Sequence, residues 1–143
     1  MTARRLSIIG SVVYLLWAAL HIQAAYKVRQ LADSVQPSMI QGRLNQDSWM
    51  LLCAAVIVGV VSLLMLRRTS ELGYWLNLGV AGVSDIGFIA FVLVPGYAKP
   101  WPGLEGPVLW GVAWMFSTAA LVMVRRGSAE GVRTEVGDQA HLR

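Results

Sequence analysis

The sequence predicts an all-α integral membrane protein in which four transmembrane helices form an antiparallel bundle, with the N- and C-termini both cytoplasmic. Three observations carry this expectation. Four long stretches are almost free of charge. Hydrophobic residues make up 56% of the 143-residue chain and charged ones only 14%, whereas soluble domains run nearer a quarter charged. Basic residues also come as doublets beside the apolar stretches: Arg4-Arg5, Arg67-Arg68 and Arg125-Arg126. Paired cations at the ends of apolar runs mark cytoplasmic loop ends. They do not make the continuous basic face that a nucleic acid requires, so the bilayer is the expected partner and nucleic acid is not.

The first run, LSIIGSVVYLLWAALHIQAAY (6–26), lies between Arg5 and Lys27. The basic start MTARR could pass for a secretory signal, but the apolar core exceeds the roughly 7–15 residues of a signal-peptide core. It is therefore expected to stay as a transmembrane helix, to continue past Tyr26 and to stop before Pro37, because the residue preceding a proline disfavours helix. SMIQGRLNQD then mixes apolar and polar residues, as a segment in the headgroup layer or a cap over the bundle would. Asn45 or Asp47 is the expected N-cap of the second span, 48–66.

The short loop RRTSELG forces the second and third helices into a hairpin. The third span, 73–95, is interrupted only by Asp85. The following loop, PGYAKPWPGLEGP, is rich in proline and is expected to be stiff and extended. The fourth span is 106–124. The polar tail 127–143 lacks apolar periodicity and is expected to be disordered. Each span matches the roughly 20 residues that cross about 30 Å of hydrocarbon. Helices are the expected form, since strands of this length would leave backbone groups unpaired in lipid. The doublets would face the cytoplasm, with Lys27, Arg29, Arg43 and Lys99 opposite, which puts the chain in the cell membrane as a multi-pass protein.

Several chemistries are excluded by inventory. Cys53 is the only cysteine, so no intrachain disulfide or CxxC pair exists. His21 and His141 are the only histidines, and His141 lies in the tail, so one chain cannot supply bis-histidine haem ligation. No P-loop, HExxH or GxSxG occurs. A metal site would need a third ligand beside His21 and Asp85 that the spans lack. No metal and no cofactor is expected.

The anomaly is Asp85, in the middle of GVAGVSDIGFIAFVLVPG (79–96). A carboxyl group there costs a few kcal/mol on insertion scales. At a helical period Asn77, Ala81, Asp85, Phe88 and Val92 share one face with Ser84 on its border, while Val83, Ile86, Ala90 and Leu93 form an apolar face suited to lipid. Asp85 is either a hydrogen-bonding link between helices or a functional acid. On the first helix Tyr14, Trp17, His21, Ala24 and Val28 form one stripe. If both helices span alike, His21 lies roughly 7 Å outward of Asp85, so a direct bond needs tilt or a shift of register, and a bridging ligand or water needs neither. Trp110 and Trp114 on the fourth helix either pack as bulk or wall a pocket for a flat ligand.

Three functions follow as expectations. The first is an acid/base enzyme of isomerase, cyclase or hydration type, acting on a lipophilic small molecule. Asp85 and His21 would be catalytic there, and Asn77, Tyr14, Trp17, Trp110 and Trp114 would bind substrate. The second is a proton-coupled small-molecule transporter working as a homodimer around Asp85. The third is an accessory subunit whose Asp85 pairs with a basic group on another protein.

Overall fold

In a computed structural model, residues 2–141 are described, with side chains described as far as Gly127. All the regular structure among these residues is helical: α1 (Ala3–Asp33), α2 (Met39–Arg67), α3 (Glu71–Phe88) running into a π-helical turn (Ile89–Leu93), a short α4 (Pro100–Gly103) and α5 (Glu105–His141). Four helices, Ala3–Asp33, Met39–Arg67, Glu71–Leu93 and Glu105–Gly127, are long and apolar enough to cross a membrane.

Local chemistry sets the ends. Thr2, Ser38 and Ser70 cap α1, α2 and α3, each accepting a backbone N–H with its side-chain oxygen, as hydroxyl residues at N-caps do. The cap of α2 corrects the sequence expectation of Asn45 or Asp47. SMIQGRLNQD is not a separate cap over the bundle: it supplies the N-cap Ser38 and the first turns of α2, directly after Pro37. Gly42 is the weakest helix former in that stretch, and the apolar span behind it propagates helix at little cost. α1 stops at Asp33, where the Ser34 hydroxyl donates to the Leu31 carbonyl at 2.7 Å.

The π turn ends in a Schellman arrangement: Gly96 N–H donates to the Leu93 carbonyl and Tyr97 N–H to the Val92 carbonyl. Gly96 has φ +79, a left-handed conformation that glycine adopts without a Cβ clash. The proline-rich loop, expected to be extended, contains the short α4, with a cis bond between Trp101 and Pro102. α5 outlasts its apolar stretch. Its backbone stays helical to His141, through residues expected to form a disordered tail, and the side chains after Gly127 lie outside the described residues. Ala129, Glu130, Arg133 and Gln139 are good helix formers, and the span already supplies the nucleus.

α1 packs on both α2 and α5, and α3 packs on the same two, so α1 and α3 stand at opposite corners of the four-helix bundle. Contact registers tie the corners together. Ser48 donates to the Ala25 carbonyl at 2.8 Å, and Ala18 faces Gly59. Asn77 donates to Ser62 Oγ at 2.9 Å. Gly10 lies on the α5 backbone at Ala113 and Ser117. Tyr14, Trp17, Ala18, Val58, Ala81 and Ala113 make the central core, and Met65, Tyr74 and Leu121 a second cluster towards the other end. Outside, Val12, Leu16, Val60, Leu64, Val83, Ile86 and Met115 are exposed. An apolar girdle of that extent suits hydrocarbon and would be a liability in water. Small-residue contacts and buried hydrogen bonds link the helices across these seams.

Candidate functional site

The polar centre is built from opposite corners. On α3 the buried stripe is Tyr74, Asn77, Ala81 and Asp85; on α1 it is Ser7, Ser11, Tyr14, Trp17, Ala18 and His21. Both follow the three-and-four spacing of one helix face. Ala81 and Ala18 keep the centre narrow enough for long side chains to meet across it. α1 is centred on Ala18 and the α3–π element on Gly82, judged from their bounds. His21 and Asp85 thus each lie three residues past their helix midpoint. The offset expected from the apolar runs vanishes once the true helix ends replace the hydropathy edges.

Trp17 Nε1 donates to Asp85 Oδ2 at 2.7 Å. His21 Nε2 lies 3.4 Å from Asp85 Oδ1. His21 Nδ1 is 2.9 Å from the Trp17 carbonyl one turn back, and the Trp17 and His21 rings stack with centroids 3.7 Å apart. Asp85 is 1% exposed and His21 7%. The ring of contacts closes on itself: indole to carboxyl, carboxyl to imidazole, imidazole to the tryptophan's own carbonyl.

Donor and acceptor counting fixes the protons. A carbonyl only accepts, so His21 Nδ1 carries hydrogen. Trp17 Nε1 only donates, so Asp85 Oδ2 accepts. Asp85 Oδ1 and His21 Nε2, 3.4 Å apart, leave room for one proton between them. Without it two lone pairs would face each other; with it the pair is either carboxylic acid and neutral imidazole, or carboxylate and imidazolium. Burial makes an unmet polar atom costly.

α5 closes the remaining side. A Cβ on Gly106 would stand 2.9 Å from His21 Cε1 and 3.0 Å from Asp85 Oδ1, so only glycine lets the first turn of α5 lie on the pair. Pro107 beside it suits a helix start. The sequence reading did not single out Gly106. Its signal was available as a glycine–proline pair opening the fourth span.

The other expected site residues divide. Trp17 belongs to the centre, as a hydrogen-bond donor to Asp85 in place of a pocket wall. Tyr14 is fully buried beneath it, its hydroxyl without a partner among the described residues. Trp110 packs on the core, its ring close over Gly82. Trp114 does not join the centre: it is 43% exposed, and its Nε1 donates to Tyr74 Oη at 3.2 Å. Tyr74 Oη in turn bonds Thr118 Oγ1. Asn77 is also elsewhere, two turns from Asp85 and bonded to Ser62 and Met65. Ser84, expected on the border of the inward face, turns away from the pair and its hydroxyl donates to the Val80 carbonyl at 3.0 Å. Phe88 and Val92 share its outer groove. The described residues hold no group of three metal-ligating side chains. Comparison with family models, curated proteins and solved structures finds no match, so the site's chemistry rests on its own geometry.

Proposed function

We propose that this chain is a multi-pass protein of the cell membrane whose His21–Asp85 pair is an acid/base centre acting on a lipophilic small molecule, by isomerisation, cyclisation or hydration. The observation that carries the reading is the buried approach of His21 Nε2 to Asp85 Oδ1 at 3.4 Å. A pair holding one labile proton in a dry site can give it to one atom of a substrate and recover it from another. Trp17 would hold the carboxyl orientation, and its stacking on His21 would fix the imidazole plane. Tyr14 and Trp110 would shape the approach.

The bundle is read as antiparallel because the contact registers run in opposite directions along neighbouring helices: Ala18 with Gly59 and Ala25 with Ser48, or Gly10 with Ser117 and His21 with Gly106. The arginine doublets put both termini in the cytoplasm.

One observation favours a second reading, proton-coupled transport. The Trp17–Asp85–His21 cluster is a direct tie between opposite corners of the bundle. Adding or removing its proton would alter the tie between α1 and α3 and with it the opening of the bundle. A homodimer is the natural assembly for that mode.

The test is ¹⁵N NMR of His21 in lipid nanodiscs across about pH 5–8. An acid/base centre gives one protonation step at Nε2 that disappears or moves in Asp85→Asn. A His21 signal that ignores the substitution would reduce the pair to a structural link. Proton release on substrate binding without turnover would select transport.

A further inference from the structure

Buried polar side chains that lack a protein partner concentrate in one half of the bundle. Among the described residues these atoms are Ser7 Oγ, Tyr14 Oη, Asn45 Oδ1, Asn77 Oδ1, Trp110 Nε1 and Ser117 Oγ. All but Asn45 belong between the acid/base pair and the end of the bundle where α1 begins, as the contacts show. Trp110 packs over Gly82, three residues before Asp85. Tyr14 joins Ala81 and Ala113 in the central core. Asn77 holds Ser62, Ser117 lies against Gly10, and Ser7 follows a turn nearer the N-terminus. Tyr14 and Asn77 are 0% exposed, Ser7 2% and Ser117 4%.

Buried polar groups bond to protein or to ordered water, and lipid offers them nothing else. The spacing suits single waters. With neighbouring helices antiparallel, α1 and α3 run the same way, so Gly82 stands level with Ala18 as Asp85 does with His21. Counted on α1, the polar levels are then residues 21, 18, 14, 10 and 7, in steps of about 4.5–6 Å. One water making two hydrogen bonds of about 2.8 Å covers such a step. The hydroxyls of Ser7, Tyr14 and Ser117 can each accept a proton on one side and release one on the other, whereas Asn77 and Trp110 only anchor. The far end is polar too. Tyr74, on the buried stripe of Asn77, bonds Thr118 Oγ1 at 3.0 Å, and a turn beyond it the exposed Glu71–Arg125 ion pair joins α3 to α5.

We propose that a file of bound waters runs through this half of the bundle, held by these five groups, and carries the proton of the His21–Asp85 pair to and from the compartment at the α1 N-terminal end. In each step an oxygen passes a proton to the next oxygen and takes one from the last. Waters and hydroxyls are unchanged after a full transfer, and one proton has left the pair or reached it. Waters held singly keep the pair shielded from bulk solvent. The inference deepens the acid/base reading and rests on it for the use of the proton; the hydration does not depend on it.

The experiment uses the full chain in lipid bilayers and solid-state NMR in which magnetisation starts on water. The Tyr14 ring and the Asn77 amide should receive it about as fast as exposed Tyr97, while Val83 on the apolar outer face lags. Tyr14→Phe, which keeps the ring, then gives a sign to read. Deleting a hydroxyl bonded to water should raise the unfolding constant about five-fold, whereas deleting an unmet one lowers it. Proton exchange at His21, followed by ¹⁵N line shape, should slow about five-fold in Tyr14→Phe, the loss of one link in the file, and further when Ser117→Ala is added. Ser84→Ala, whose residue lines the outer groove, should leave that rate unchanged. Dry Tyr14 and Asn77 signals, a stabilising Tyr14→Phe, or exchange at His21 that ignores both substitutions overturns the proposal. If the water signals appear but His21 titrates without regard to Asp85, the acid/base reading fails, the proton path falls with it, and the hydrated half alone stands.

Discussion

Replacing Asp85 by asparagine and by leucine separates the proton from the packing. In wild type Oδ2 accepts from Trp17 Nε1 at 2.7 Å and Oδ1 faces His21 Nε2 at 3.4 Å. Asparagine in the same rotamer accepts from Trp17 with its oxygen and donates to His21 Nε2 with its amide. Every contact is satisfied, and the neutral amide reproduces the carboxylic acid–neutral imidazole form of the pair. Asp85→Asn should therefore cost less than about 1 kcal/mol. Leucine leaves the Trp17 N–H and the His21 nitrogen without partners in a site that is 1% exposed. Each orphaned group costs about 1–3 kcal/mol in buried settings, and membrane hydrogen bonds average nearer 0.6, so about 2–4 kcal/mol is expected for Asp85→Leu. Equilibrium unfolding in mixed micelles, followed by circular dichroism, measures both. The reasoning is refuted if asparagine destabilises as much as leucine. The bundle would then depend on the carboxylate–imidazolium form of the pair, which a neutral amide cannot reproduce.

Trp17→Phe keeps the ring stack on His21 but removes the donor to Asp85, and should cost about 1–2 kcal/mol; in wild type the Trp17 indole N–H should be the slowest of the six tryptophans to exchange in ¹H–¹⁵N spectra. Gly106→Ala drives a methyl to 2.9 Å from His21 Cε1, so α5 must shift, at about 1–3 kcal/mol, and the His21 ¹⁵N signals should move with it. Asn77→Leu breaks the bond to Ser62 some 12 Å along α3 from Asp85; it should lower stability by about 1–2 kcal/mol while leaving the His21 signals unchanged, because separated sites add independently. A shift of His21 in that variant would merge the two polar clusters into one network.

How much was readable beforehand differs by residue. Four apolar helices were legible because hydropathy and backbone satisfaction are local properties that each run carries alone. The prominence of Asp85 was legible for the same reason. Its neighbours were only half legible. His21 was singled out, but hydropathy edges misjudged its level, since α1 continues well past Tyr26 to Asp33. Trp17 was expected as a wall and is a donor. Ser84, on the border of the inward face by sequence, lines the outer groove, because a residue on the edge of a stripe turns either way with helix rotation. Trp114 and Asn77 share helix faces with central residues yet bond at another level, which a face argument along one helix cannot see.

By itself, then, the sequence determined which segments become apolar helices and which one bears the costly acid. Tertiary structure decided which side chains meet that acid. Trp17 and His21 reach it from the opposite corner because Gly106 lets α5 close over the pair and Ala18 and Ala81 keep the centre narrow. Those distances depend on the fit between surfaces of separate helices, and no helix specifies that fit alone.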